Sequence, residues 1–188
     1  MMTFQFKIQI KGITKPPVWR TIKVNSNITF REFHAIIQLA FGWTFSHLYL
    51  FSEKGYASQF QIQDKEFADD EYSESVDANQ TRLKSIFKKK NQTYTYIYDF
   101  GDSWEHKITL EKITDENLLH PICLTGKGKC PPEDCGGVWG YEELKDAIND
   151  RSHPEYEELR DWMGLEEGEK WDATAFDIDE VNKVLRKF

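Results

Sequence analysis

Asp99, Asp102, Glu105 and His106 fall within eight residues, in the run YDFGDSWEH. Carboxylates and an imidazole held that close are what an oxygen and nitrogen metal site needs, or an acid–base pair. His47 follows a Trp43-Thr44-Phe45-Ser46 turn and could converge on Asp102 and His106 if their strands are neighbours. His47, Asp99, Asp102 and His106 are therefore the candidate set for a metal-dependent hydrolase acting on phosphate esters, with the four side chains as ligands and a bound water as nucleophile. The plainer reading has the aspartates bonding turn amides, His106 as a satisfied core or edge histidine, and His47 as a structural strand-start residue.

Cys123, Cys130 and Cys135 form the second group. An odd count cannot close a disulfide framework within one chain, and nothing else points to secretion, so reduced thiols are expected. With His153, or His120 instead, the three thiols would complete a structural zinc site. The Cys-x2-Cys pair typical of zinc sites is absent. Pro131-Pro132 and Gly136-Gly137 make a tight, rigid loop in which the cysteines could equally be buried small apolar groups.

These groups need a scaffold. Tyr94, Tyr96, Tyr98 and Phe100 recur at every second position, as do Trp104, His106, Ile108 and Leu110. With a Gly101-Asp102-Ser103 turn between them, they predict a hairpin with one aromatic face. Upstream, residues 3–11 and 18–24 alternate as two strands, and Thr29 with Glu32 is a capping box. The helix it opens carries Phe30, Phe33, Ile36, Ile37, Ala40 and Phe41 on its apolar stripe and ends at Gly42, leaving His34 on the solvated side. Residues 47–51 read as a third strand. This hairpin–helix–strand order predicts a β-grasp-like ββαβ unit over 1–51. Residues 52–92 read as a variable polar insert, with a weak strand at 59–63, a long loop, and a short strand or turn at 82–87. Residues 93–188 hold the hairpin, the cysteine loop and acidic helices, which start near Tyr141, Pro154 and Asp177; Asp177 has Glu180 as its box partner. The prediction is one α+β domain over 1–188, built on a mixed sheet.

The motifs YxYDFGDSWEHxIxLEK, CPPEDCGGxxGYEEL, HPEYEE and FDxxxxNxxL, with KGITKPPVWRTIKV and FHAIIQLAFGWTFSHLYLF at the N-terminal end, resemble the plasmid pRiA ORF-three-like family. That family is also described as similar to TnpR-like passenger proteins of insertion elements. The resemblance covers nearly the whole chain and is weakest from Ser52 to Gln92. It implies an α+β fold and a bacterial or archaeal, often mobile-element, context. It implies no established activity.

Charge and missing motifs narrow the function. The net charge is −8, and Glu133 to Glu180 holds seventeen acids against four bases. Such a surface repels nucleic acid and favours a protein partner. The six arginines are scattered, which leaves a resolvase-like DNA-processing role without a phosphate-holding cluster. Lys88-Lys89-Lys90 reads as a solvated turn. No phosphate-binding Gly-x4-Gly-Lys loop, dinucleotide fingerprint, His-Glu-x-x-His or Gly-x-Ser-x-Gly elbow occurs. No apolar run is long enough to span a membrane, and the alternating N-terminus reads as a strand rather than a signal, so a cytoplasmic protein is expected. The leading expectation is a non-enzymatic binding or interaction module, with the metal-dependent hydrolase as the alternative.

Overall fold

The architecture comes from a computed structural model, which describes residues 2–67 and 74–188. Its centre is a mixed eight-stranded sheet in the order β5-β4-β3-β6-β7-β1-β2-β8. Strand β1 (Thr3–Ile10) buries Phe4, Phe6, Ile8 and Ile10. It pairs antiparallel with β2 (Trp19–Asn25) on one side and with β7 (Trp104–Thr114) on the other. Strand β6 (Thr93–Tyr98) forms the predicted hairpin with β7, placing Tyr96 opposite His106 and Tyr98 opposite Trp104. Strand β3 (Tyr49–Ser52) then pairs with β6, placing Phe51 opposite Tyr96 and Tyr49 opposite Tyr98. The period-2 pattern thus stacks Ile10, His106, Tyr96 and Phe51 in one row across four strands.

The N-terminal ββαβ order is present along the chain, but it does not form a local sheet. Strand β7 pairs along the whole of β1, with Ile8 opposite Ile108 and a register shift between Gln5 and Phe6, so the hairpin occupies that edge. Helix α1 (Phe30–Phe41) crosses the sheet face and delivers β3 to the far side of the hairpin. The Thr29–Glu32 capping box and the left-handed Gly42 terminus are both as predicted. His34 departs from expectation: it is buried, as is Gln38 one turn later. The hairpin carries Tyr96 beneath that flank of α1, and both polar side chains bond its hydroxyl. A stripe drawn from apolar residues alone misses such a contact.

Strand β4 (Phe60–Gln63) lies where a weak strand was expected. The long loop after it is interrupted by β5 (Glu74–Asp77), a parallel edge strand on β4. Residues 68–73, within the long loop expected there, lie outside the described residues. The segment expected as a strand or turn at 82–87 is a single helical turn, α2 (Leu83–Ile86), held because Leu83 and Phe87 are buried. Strand β8 (Ile122–Lys127) closes the other edge beside β2. Helix α3 (Gly137–Ala147) starts four residues before Tyr141, and α4 (Tyr156–Trp162) starts after Pro154.

Helix α5 (Ile178–Leu185) is capped by Asp177, which accepts from the Asp179 and Glu180 amides. The Glu180 carboxylate turns outward to Lys183 instead of completing a box. Asn182 on α5 accepts from the Cys123 amide and donates to the Cys123 carbonyl, as a neighbouring strand would. One core cluster runs from Phe4 to Leu185. Among the described residues no helix is long and apolar enough to cross a membrane.

Candidate metal centre

The site lies where the 42–48 loop, the end of β6 and the cysteine loop meet. Glu133 pins them together. Its Oε1 accepts from the Thr44 amide at 2.8 Å, the Thr44 hydroxyl at 3.0 Å and the Tyr98 hydroxyl at 3.0 Å. Tyr98 also accepts from the Ser46 amide. Burial, then the bond to Glu133, raises the Tyr98 hydroxyl above the usual phenol range. With Oε1 fully used, Glu133 Oε2 is buried without a hydrogen-bond partner.

His47 Nε2 is buried and equally without one. Three carboxylates surround it: Asp134 Oδ1 at 3.2 Å, Asp99 Oδ2 at 3.7 Å and Glu133 Oε2 at 3.9 Å. The ligand atoms of His47, Asp99 and Asp134 all lie within 4.8 Å of one another; among the described residues no other such group of three occurs. Asp99 Oδ1 is occupied by the Gly101 amide, which leaves Oδ2 turned toward His47.

The backbone here is unusual. Phe45, Asp99, Ser103 and Asp134 all have φ between 55° and 63°, and only one other described non-glycine residue, Asn91, has a positive φ. Side chains are costly in the left-handed region, bulky ones most of all. Four such residues converging on one place is the pattern that functional sites show.

The four residues named from sequence separate. His47 and Asp99 come together. Asp102 Oδ2 accepts from the Gly136 amide at 3.1 Å, tethering the hairpin turn to the cysteine loop. His106 is fully buried, ringed by Phe41, Trp43 and Tyr96 at 5.0–5.2 Å. Its Nδ1 donates to the Trp104 carbonyl, and burial lowers it to about 3. It faces the core under α1, because alternation along β7 puts it on the Trp104 and Ile108 face.

Glu133 and Asp134 complete the cluster and were not read from sequence. Their only signal is position: two acids between Pro131-Pro132 and Gly136-Gly137, in the tight loop that also carries the thiols. The thiols themselves are not gathered with a histidine. Cys123 sits on β8 against the Thr125 carbonyl, His120 donates to the Pro121 carbonyl, and His153 accepts from the Glu155 amide. Burial raises all three thiols, Cys135 to about 12, so they stay protonated near neutrality.

The model of the plasmid pRiA4b ORF-3-like proteins matches residues 2–180. The chain belongs to that family. This ORF-3-like chain is 34% identical over 173 residues to the uncharacterized protein y4hQ of Sinorhizobium fredii, spanning 91% of this chain and 84% of that protein. It also resembles the crystal structure of MM3350 from Methanosarcina mazei Go1, described as a protein of unknown function. There the TM-score is 0.80 at 36% identity, over 95% of this ORF-3-like chain and 96% of the other.

Proposed function

We propose that this ORF-3-like protein binds a divalent cation through His47, Asp99 and Asp134, with Glu133 as a further ligand, and uses it in a binding module. The observation that carries the reading is the pair of buried atoms without hydrogen bonds, His47 Nε2 and Glu133 Oε2, 3.9 Å apart inside a ring of carboxylates. Ligands about 2.1 Å from one ion, at tetrahedral or octahedral angles, sit roughly 3.0–3.4 Å apart. The oxygens at 3.2–3.9 Å from His47 Nε2 need only small movements to reach that spacing. One imidazole with hard carboxylates suits Mn2+, Zn2+ or Mg2+ rather than a soft ion such as Cu+. The competing arrangement is a protonated His47 paired with the same acids.

The working surface is the acidic face with its apolar rim: Phe45, Leu48, Tyr56 and Phe100 are each 40–49% exposed. Asp99, Asp102, Glu133 and Asp134 make it a poor seat for a nucleic-acid backbone. A mobile-element link is context from the family description alone.

Calorimetric titration of the metal-free protein with Mn2+ and Zn2+ tests the reading. One equivalent should bind, and His47→Ala or Asp99→Asn should weaken it at least tenfold. Binding that survives both substitutions, or no binding at millimolar cation, defeats it. Metal-assisted hydrolysis is the second reading, favoured because the Asp134 side chain is 71% exposed and leaves one side of the cluster open to water. Cation-dependent cleavage of p-nitrophenyl phosphate, lost in His47→Ala, would support it.

A further inference from the structure

Beside the cluster lies a cleft of about 690 Å3 lined by Arg31, His34, Phe45, His47, Leu48 and Tyr49. Its size suits a small molecule. A chain of hydrogen bonds fixes how His34 meets it. The Phe45 amide donates to Gln38 Oε1 at 3.1 Å, which settles the orientation of that side-chain amide. Gln38 Nε2 must then donate to the Tyr96 hydroxyl, 3.0 Å away. Tyr96 is fully buried, and its only other polar contact among the described residues is His34 Nδ1 at 2.8 Å. A proton on Nδ1 would leave the Tyr96 hydroxyl proton buried with no acceptor, which is costly. Tyr96 therefore donates to Nδ1, and the ring proton sits on Nε2. The ring stacks flat on Tyr49, 3.7 Å between centroids at 6°. The Tyr49 hydroxyl is fixed in turn by Asp64. With Nδ1 facing Tyr96, the edge of the ring left to line the cleft carries the Nε2–H.

We infer that His34 is the ligand-orienting donor of this cleft, presenting Nε2–H to the carbonyl oxygen of a small, uncharged amide whose apolar part rests on Phe45 and Leu48. Three features select that chemistry. Burial keeps His34 neutral at working pH, so it offers a hydrogen bond rather than a charge. Arg31 is paired with Asp64 at 2.6 Å, which cancels the cleft's one described cationic side chain. Glu66 in the lining, with the acids that surround His47 at its margin, then disfavours an anion. Phe45 and Leu48 are 47% and 41% exposed, giving an apolar wall at the mouth. The site's role beside a cation rests on the proposed function; the tautomer and the donor do not.

Nitrogen-15 NMR of histidine-labelled protein tests this, using benzamide, benzoate and benzylamine as probes. In the metal-free protein His34 should show a pyridine-type Nδ1 and a protonated Nε2. Benzamide should shift its Nε2 signal saturably, with benzoate and benzylamine at least tenfold weaker. Tyr96→Phe should scramble the tautomer and weaken benzamide three- to tenfold. An Nδ1–H tautomer in the parent protein overturns the inference without any variant. So does a benzamide response that spares His34, or benzoate binding as well as benzamide. Repeating the titration with Zn2+ separates the two claims: a His34 response alongside a His47 signal blind to millimolar Zn2+ overturns only the cation site.

Discussion

Replacing Glu133 two ways should separate its scaffolding from its charge. In Glu133→Ala the Thr44 amide, the Thr44 hydroxyl and the Tyr98 hydroxyl lose their common acceptor. Bonds to a charged acceptor contribute about 1.5–3 kcal/mol each where water is excluded. The Thr44 donors are near solvent and recover most of that, whereas Tyr98 does not. A net loss of about 2–3 kcal/mol follows, or roughly 4–12 °C in Tm at about 2–4 °C per kcal/mol for a domain of this size. Glu133→Gln keeps a carbonyl oxygen for those three donors and should cost less than about 1 kcal/mol. It places an NH2 where Oε2 faced His47, so cation affinity should fall about tenfold, which is about 1.4 kcal/mol. Thermal unfolding and calorimetric cation titration of both variants read the two effects. Equal Tm losses for Ala and Gln would refute the three-donor argument. Unchanged cation affinity in the Gln variant would refute the ligand role.

His106→Ala should destabilise by about 2–4 kcal/mol through the cavity it leaves among Phe41, Trp43 and Tyr96, yet leave cation affinity within twofold; a large affinity loss would return His106 to the site. His34 and His106 are both held at about 3 by burial, against 6.5 when unfolded. The unfolded chain therefore binds more protons between those values, so stability is full above pH 6.5 and falls as pH drops toward 3. Each histidine contributes a slope of about 1.4 kcal/mol per pH unit, and urea midpoints of His106→Phe across pH 4–6.5 should show roughly half the parent's slope from these two groups. Gly140→Ala should disorganise the cysteine loop, because its Cβ would fall 1.8 Å from the Cys135 carbonyl oxygen; a variant with parental Tm and cation affinity would show that Glu133 and Asp134 do not depend on that loop.

What the sequence revealed and what it hid follow from range. Thr29 and Glu32 are three residues apart and announce their capping box, and Tyr94 to Leu110 announce the hairpin by period alone. The placement of β3 beyond that hairpin depends on which edge of β1 is taken, and Ile8 and Ile108 settle that only across the fold. His34 looked solvated because its burial comes from Tyr96, sixty-two positions on. His47 and Asp99 were legible as a pair of chemical types. Glu133 and Asp134 were not, since an acid pair in a Pro- and Gly-bounded loop looks like surface until Thr44 and Tyr98 are seen to hold it. Asp102 and His106 stand apart from His47 and Asp99 because closeness in a hairpin sequence ignores face: one bonds a loop amide, the other lies in the core.

Asn182 gives the C-terminal helix a second meaning. By accepting from the Cys123 amide and donating to its carbonyl, one side chain answers β8 as a ninth strand would. A sheet that is not closed into a barrel exposes backbone along its outer strands, and another chain can pair there. On the β8 side that invitation is withdrawn at Cys123 by a residue whose main chain belongs to a helix. Losing the last ten residues would thus do more than shorten the protein. It would uncover a strand, and the shortened chain would be prone to add to its own copies.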